Sequence, residues 1–135
     1  MNQSAYRYLG LIDLALLGAF LVAFGISALA TSPVLVGMLV AGVGLLLAGT
    51  LAAVSVGPAT VTWRHFVGVS YTVFALTWPA TYGPAVVAGT ATRAELALFV
   101  ATAVGSLSIL AYGYDVFRDG RHFDVETDIT RTLEV

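Results

Sequence analysis

The chain contains no cysteine, and charged residues make up only 10% of its 135 positions. The absence of cysteine excludes disulfide frameworks, thiol catalysis, Cys-ligated zinc and iron–sulfur clusters. Lysine is also absent, and six arginines against eight acidic residues give a net charge of −2, which excludes a basic surface for nucleic acid. No Gly-rich phosphate loop, zinc-protease motif or nucleophile–base set occurs. We therefore predict a protein that is not an enzyme and binds no cofactor.

Long apolar intervals dominate the first 114 positions, which hold only five charged residues. These intervals predict four helices, over residues 9–30, 33–56, 66–88 and 95–117. At about 1.5 Å per residue each helix is about 33–36 Å long, enough to cross a hydrocarbon core of about 30 Å. None of them shows the polar face that a soluble bundle needs. We therefore predict an all-α membrane protein whose transmembrane domain covers residues 1–117.

Local signals mark several helix ends. Ser32 followed by Pro33 is typical of an N-cap with proline at the first helical position. Gly57-Pro58 is typical of a helix C-terminus, and Thr92 with Glu95 forms the spacing of a capping box. The connections after the first and third helices are short, so we predict two antiparallel hairpins.

The arginines predict the orientation of these hairpins. The side that holds both termini and the middle loop contains five of them, and Arg93 alone lies on the other side. The five are Arg7, Arg64, Arg118, Arg121 and Arg131. Because short cytoplasmic loops are enriched in arginine, we predict a multi-pass protein of the cytoplasmic membrane with cytoplasmic N and C termini.

Asp13 is the only ionisable side chain predicted to lie inside a span. A carboxylate there is costly, so it either pairs with an arginine or has a function. It lies near the cytoplasmic interface, where Arg7 or Arg64 is within reach. We therefore keep two hypotheses, structural pairing and proton or cation coupling, with Asp13 and Arg64 as the candidate residues.

The third predicted helix is the least uniform. Four aromatic residues follow each other at helical spacing and are candidates for lining a pocket: Tyr71, Phe74, Trp78 and Tyr82. Pro79 and Pro84 each free a backbone carbonyl of the preceding turn, which predicts a kink or break in the outer half of the helix. The alternative is that the aromatic rings anchor the outer interface.

Small residues form stripes on the second and fourth predicted helices. Close backbone approach at such stripes drives helix association in lipid, within the bundle or at the seam of a dimer. The candidate packing residues are Gly37, Ala41, Gly44, Ala48, Ala52, Ala97, Ala101 and Gly105.

The tail, residues 118–135, is polar and acidic. From Phe123 to Val135 its residues alternate with period two and many are β-branched, which favours a single strand that pairs with another copy or a partner's sheet edge. The alternative is a disordered acidic tail.

These observations favour a structural or accessory membrane component that acts through helix packing and its cytoplasmic tail, with the bilayer and a second copy or another membrane protein as partners. The alternative is a small proton- or cation-coupled transporter or channel that uses Asp13 and the third helix. His65 and His122 make a metal or haem site conceivable, but neither lies in the middle of a predicted span. The composition resembles that of membrane proteins from salt-adapted archaea.

Overall fold

The structure is a computed structural model that describes residues 2–118, 120, 122–123 and 125–134. Arg121 and Val135, which enter the orientation and tail predictions, lie outside these residues. The helices are α1 (Ala5–Phe24), α2 (Ala28–Thr31), α3 (Pro33–Ala48), α4 (Trp63–Val87) and α5 (Arg93–Phe117). The strands are β1 (Ala53–Val56), β2 (Ala59–Thr62) and β3 (Thr132–Glu134). The chain is mostly helical, as predicted, but it is not all-α because it contains a small sheet.

The four long helices are arranged as a row. Helix α1 packs against α3, α3 against α4, and α4 against α5, with neighbours antiparallel. Between α3 and α4, Gly37 faces Thr77 and Gly44 faces Ser70 so closely that a Cβ on either glycine would collide with the facing side chain. Glycine therefore sets the distance between these two helices, as is common where membrane helices approach closely.

Two predicted helix starts are confirmed. The Ser32 side chain accepts a hydrogen bond from Leu35 N, and Pro33 occupies the first helical position of α3. Thr92 and Glu95 form a reciprocal capping box at the start of α5. Each signal involves residues only three positions apart, so local sequence was sufficient to predict it.

The predicted first and second spans are each shorter in the structure. Helix α1 ends at Phe24 because Gly25 adopts a φ of 83°, a left-handed conformation that favours glycine, and α2 follows as a separate turn. Helix α3 ends at Ala48 rather than at residue 56. The following residues form the antiparallel β1–β2 hairpin, and Gly57, with φ 56°, lies in its two-residue loop instead of ending a helix.

Helix α4 is continuous, so the predicted break at its prolines is wrong. It runs from Trp63 to Val87 with Pro79 and Pro84 inside it. Pro79 cannot donate to the carbonyl of Ala75, and Ser106 Oγ of α5 donates to that carbonyl instead. A neighbouring helix thus satisfies the acceptor that the proline leaves free, which is how membrane helices tolerate internal proline.

The tail folds back on its own chain. Strand β3 pairs in parallel with β1, so the tail strand finds its partner within the same chain and the prediction of an intermolecular partner is wrong. Ala52 N donates to Arg131 O at 2.7 Å, which extends this contact. The sheet has the order β2-β1-β3. A strand of three residues is stable here because the hairpin supplies an adjacent edge.

Among the described residues, the larger of two buried apolar clusters lies where the helices meet the sheet, and a smaller one, Leu17, Leu35 and Met38, lies between α1 and α3. The buried residues of the larger cluster come from four helices and the tail: Tyr6, Leu45, Ala48, Trp63, Val67, Val116 and Val125. The Gln3 side chain is fully buried beside this larger cluster and donates to Ala48 O at 2.9 Å and to Leu51 O at 3.0 Å. The N-terminus therefore satisfies carbonyls at the end of α3 that no longer have a helical partner.

Candidate functional site

A cleft lies between α1 and α4, with α3 and the α2–α3 junction as its floor. Its volume is about 570 Å³. Phe20 and Phe24 of α1 line one wall, Phe74 and Trp78 of α4 line the other, and Met38 belongs to the floor. We call this feature the α1/α4 cleft. The cleft forms because α1 and α4 both pack on α3 but make little contact with each other across it.

Asp13 is part of the cleft lining, at the end nearest the sheet. Its Oδ2 atom is buried and has no hydrogen-bond partner in the described part of the chain. A Cβ built on Gly42 of α3 would lie 3.0 Å from this oxygen. At the neighbouring crossing of α1 and α3, a Cβ on Gly10 would lie 2.6 Å from Gly42 O. The absence of a side chain at Gly42 thus leaves the space that the carboxylate uses.

The structure does not bring Asp13 and Arg64 together. The Arg64 guanidinium lies over the Trp63 ring, 4.8 Å from its centroid, and its Nη1 donates to Val116 O at 3.4 Å. Arg7 does not reach the carboxylate either, since its Nη2 donates to Tyr8 OH at 2.6 Å. The predicted structural pairing of Asp13 is therefore wrong for Oδ2, because both arginines are held at the sheet end by neighbouring aromatic side chains.

The four aromatic candidates on α4 divide into two groups. Phe74 and Trp78 line the α1/α4 cleft. Tyr71 instead packs edge-on against Tyr112 of α5, with ring centroids 5.0 Å apart, and Tyr82 is not among the cleft residues.

The sequence analysis missed the α1 wall of the cleft. Phe20 and Phe24 are four residues apart, and Asp13 and Leu16 precede them on the same helical face. This spacing was visible in the sequence. By itself it does not indicate a site, because an isolated apolar face on a predicted span is also what lipid contact requires.

The small-residue candidates also have different surroundings. Gly37, Ala41 and Ala48 are buried in α3, and Gly44 faces Ser70 of α4. Ala52 lies beyond the end of α3, so its assignment to a helix-packing stripe is wrong. The α5 candidates are exposed on the flank of the last helix of the row: Ala97, Ala101 and Gly105.

The two histidines are separate and have local roles. His65 Nδ1 lies 2.8 Å from Thr62 Oγ1 in the cap of α4, and its ring packs against Phe117. His122 Nδ1 lies 2.8 Å from Asp115 Oδ1. Among the described residues, no group of three His, Cys, Asp or Glu side chains is placed to hold a metal ion.

Two helices, α1 and α5, are long and apolar enough to cross a membrane, and few residues of either are buried. The fold and the cleft therefore define a small, mostly helical protein with two candidate apolar spans and a carboxylate-bearing cleft beside one of them. The chain belongs to a family of unknown function, DUF7994, whose model matches residues 1–129. Neither a curated protein nor a solved structure matches the chain.

Proposed function

We propose that this protein is a non-catalytic, multi-pass component of the cytoplasmic membrane that associates with a second membrane chain. In this proposal α1, α3, α4 and α5 each cross the bilayer, and the sheet and both termini are cytoplasmic. The observation that carries it is the apolar surface of every long helix. Val22 of α1 is 89% exposed, Val87 of α4 is 90% exposed and Leu107 of α5 is 66% exposed. Soluble monomers rarely expose apolar patches of this extent, whereas lipid solvates them.

The lengths of α1, α4 and α5 support crossings of the bilayer, and α3 is the short one. At about 1.5 Å per residue, the 20 residues of α1 extend about 30 Å, and the 25 residues of α4 and of α5 extend about 37 Å each. The 16 residues of α3 extend only about 24 Å, so this helix needs local thinning of a core that is about 30 Å thick. The neighbouring α2 turn adds apolar length on the outer side.

Both ends of the chain meet at the sheet, which supports placing them on one side of the membrane. Residue 2 forms a bridge with residue 126, and β3 lies beside β1. Arg7 and Arg64 lie at this end, and Arg93 begins α5 at the opposite end. An excess of arginine favours the cytoplasmic side, so the sheet is the cytoplasmic end in our proposal.

The flank of α5 is the surface that we propose for association. Helix α5 ends the row and packs along its length on α4. Ala97, Ala101 and Gly105 are exposed on it, and a Cβ built on Gly105 would have no atom within 4 Å. A small-residue flank at the open end of a row lets the backbone of a second helix approach closely.

Single-cysteine variants test the topology, because the natural chain has no cysteine. Thr90→Cys lies in the α4–α5 connection and Ala59→Cys lies at the start of β2; both positions are exposed. With a membrane-impermeant maleimide on intact cells, we expect labelling of Thr90→Cys and labelling of Ala59→Cys only after lysis. Labelling of both variants on intact cells, or recovery of the protein in the soluble fraction, contradicts the proposal.

A pair of matched glycine substitutions tests the association. Gly105→Leu adds bulk to the α5 flank, and Gly18→Leu makes the same change on α1, where a Cβ also has no atom within 4 Å. We expect Gly105→Leu to weaken association by about tenfold in energy-transfer measurements on labelled protein in vesicles, and Gly18→Leu to have little effect. Equal effects of the two changes, or no effect of Gly105→Leu, contradict this interface.

A second candidate function is cation-coupled transport. The observation in its favour is Asp13, a carboxylate beside an apolar cleft with one buried oxygen that no described residue contacts by a hydrogen bond. Transport of a cation would begin with its binding in the cleft beside Asp13.

A further inference from the structure

We propose that the α1/α4 cleft binds an organic cation with large apolar groups, which enters from the membrane and takes Asp13 as its counter-ion. The inference rests on the proposed placement of the chain in the membrane, but not on its association with a second chain. It assigns a ligand class to a cavity that the component role does not use.

The sign of the ligand charge follows from the lining. Among the described residues that line the cleft, Asp13 is the only ionisable one; the other polar groups are the Ser32 hydroxyl at the far end and the Trp78 indole N–H. The buried Oδ2 atom of Asp13 has no hydrogen-bond donor in the described part of the chain. A carboxylate in apolar surroundings is unfavourable until an opposite charge approaches it, so the cleft favours cations over anions.

The apolar character of the ligand follows from the walls. Four aromatic side chains face the cleft, and aromatic faces attract cations as well as apolar groups. Phe20 is 43% exposed and Phe24 is 67% exposed, so the α1 wall can be reached from the lipid side. The cavity volume of about 570 Å³ falls within the range of about 300–1,000 Å³ that is usual for small-molecule sites.

Two other occupants fit the lining less well. A hard metal cation needs several oxygen ligands, and the cleft provides one carboxylate with a serine hydroxyl at its other end. A second copy of this chain would have to bring a basic side chain to the depth of Asp13. Arg7, Arg64 and Arg93 all lie at or near helix starts instead, and the apolar lengths of the four long helices contain no basic residue.

Binding of two ions of nearly equal shape tests the charge preference. The full chain in lipid nanodiscs is titrated with tetraphenylphosphonium, a cation, and with tetraphenylborate, an anion, and empty nanodiscs give the background. Equilibrium dialysis reports binding, and the change in tryptophan fluorescence is assigned to Trp78 by repeating the titration with Trp63→Phe. We expect saturable binding of the cation that is at least about tenfold tighter than that of the anion. Equal affinity for the two ions overturns the proposal.

Substitutions at Asp13 test the counter-ion. We expect Asp13→Asn to weaken cation binding by about tenfold or more and to leave anion binding unchanged. Asp13→Glu keeps the charge and should retain the cation preference, which a merely damaged fold would not do. Glu95→Gln removes a carboxylate that lies outside the cleft lining, in the cap of α5, and should change neither affinity. Unchanged cation binding by Asp13→Asn overturns the proposal.

Lack of saturable cation binding by the natural chain also overturns the proposal, whether or not lipid, a second copy or a partner helix occupies the cleft instead. The maleimide labelling of Thr90→Cys separates this outcome from a failure of the membrane placement. Correct labelling without cation binding rejects the cleft ligand alone. Incorrect labelling rejects the placement on which it rests.

Discussion

The hydrogen bond from Ser106 of α5 to Ala75 of α4 predicts that the stability of the fold depends on Ser106 because Pro79 interrupts the hydrogen bonding of α4. Pro79 has no N–H for the carbonyl of Ala75, and the Ser106 hydroxyl donates to that carbonyl across the helix interface. Ser106 is buried, so water is not available to replace it. The substitution Ser106→Ala therefore leaves a buried backbone acceptor without a donor.

The expected loss of stability in Ser106→Ala can be estimated from the strength of hydrogen bonds between helices. Side-chain hydrogen bonds between membrane helices contribute about 0.6 kcal/mol on average and up to about 1.7 kcal/mol. An acceptor left unsatisfied in the interior costs about 1–3 kcal/mol. Because Pro79 removes the usual helical donor, we expect Ser106→Ala to lower the free energy of unfolding by about 1–2 kcal/mol.

A double-mutant cycle isolates this dependence. Pro79→Ala restores an N–H that can donate to Ala75 O within α4, so Ser106→Ala should cost no more than about 0.5 kcal/mol in that background. The assay is unfolding of the purified protein in mixed micelles by increasing SDS, followed by circular dichroism. Ser108→Ala removes an exposed hydroxyl from the same helix and should change the stability by less than about 0.5 kcal/mol.

The same cost of Ser106→Ala with and without Pro79 would refute the reasoning. That result would mean that the serine stabilises the helix pair by packing alone and that the Ala75 carbonyl does not need it. A cost of Ser108→Ala as large as that of Ser106→Ala would also count against the assignment, since Ser108 is exposed and the bond is specific to Ser106.

The remaining predictions concern the contacts of the N-terminus. Gln3→Met removes the two donors to Ala48 O and Leu51 O, so we expect a loss of about 1–3 kcal/mol in the same SDS titration; an unchanged midpoint contradicts the capping role. The Ser4 hydroxyl and the Ser4 backbone N–H both donate to the Asp128 carboxylate. These bonds, the hydroxyl's the more strongly, lower the pKa of Asp128 below its ordinary value of 3.8. A lowered native pKa stabilises the tail above pH 3.8, and that contribution is lost as the pH falls through the native pKa. After correction for the pH dependence of the intrinsic amide exchange rate, the protection of residues 125–134 should therefore fall there in the natural chain and show no such step in Asp128→Asn.

Local sequence determined the features whose partners lie within one turn. The caps at Ser32 and Thr92 depend on residues three positions away, and the apolar intervals were sufficient to predict a mostly helical chain. In each case backbone geometry and side-chain polarity act over a short distance, so a single sequence contains the necessary information.

Tertiary structure decided which residues meet. Strand β1 lay within the second predicted helix and β2 in the predicted middle loop, and β3 needed the edge of β1, about 80 positions away, before it could pair. Pro79 stayed within a continuous helix because α5 supplied a hydroxyl. Asp13 borders a cleft, and its buried oxygen has no partner among the described residues, because three helices set its surroundings and two arginines make contacts elsewhere. Periodicity shows which face of a helix is apolar, but the neighbour on that face depends on the packing of the whole chain.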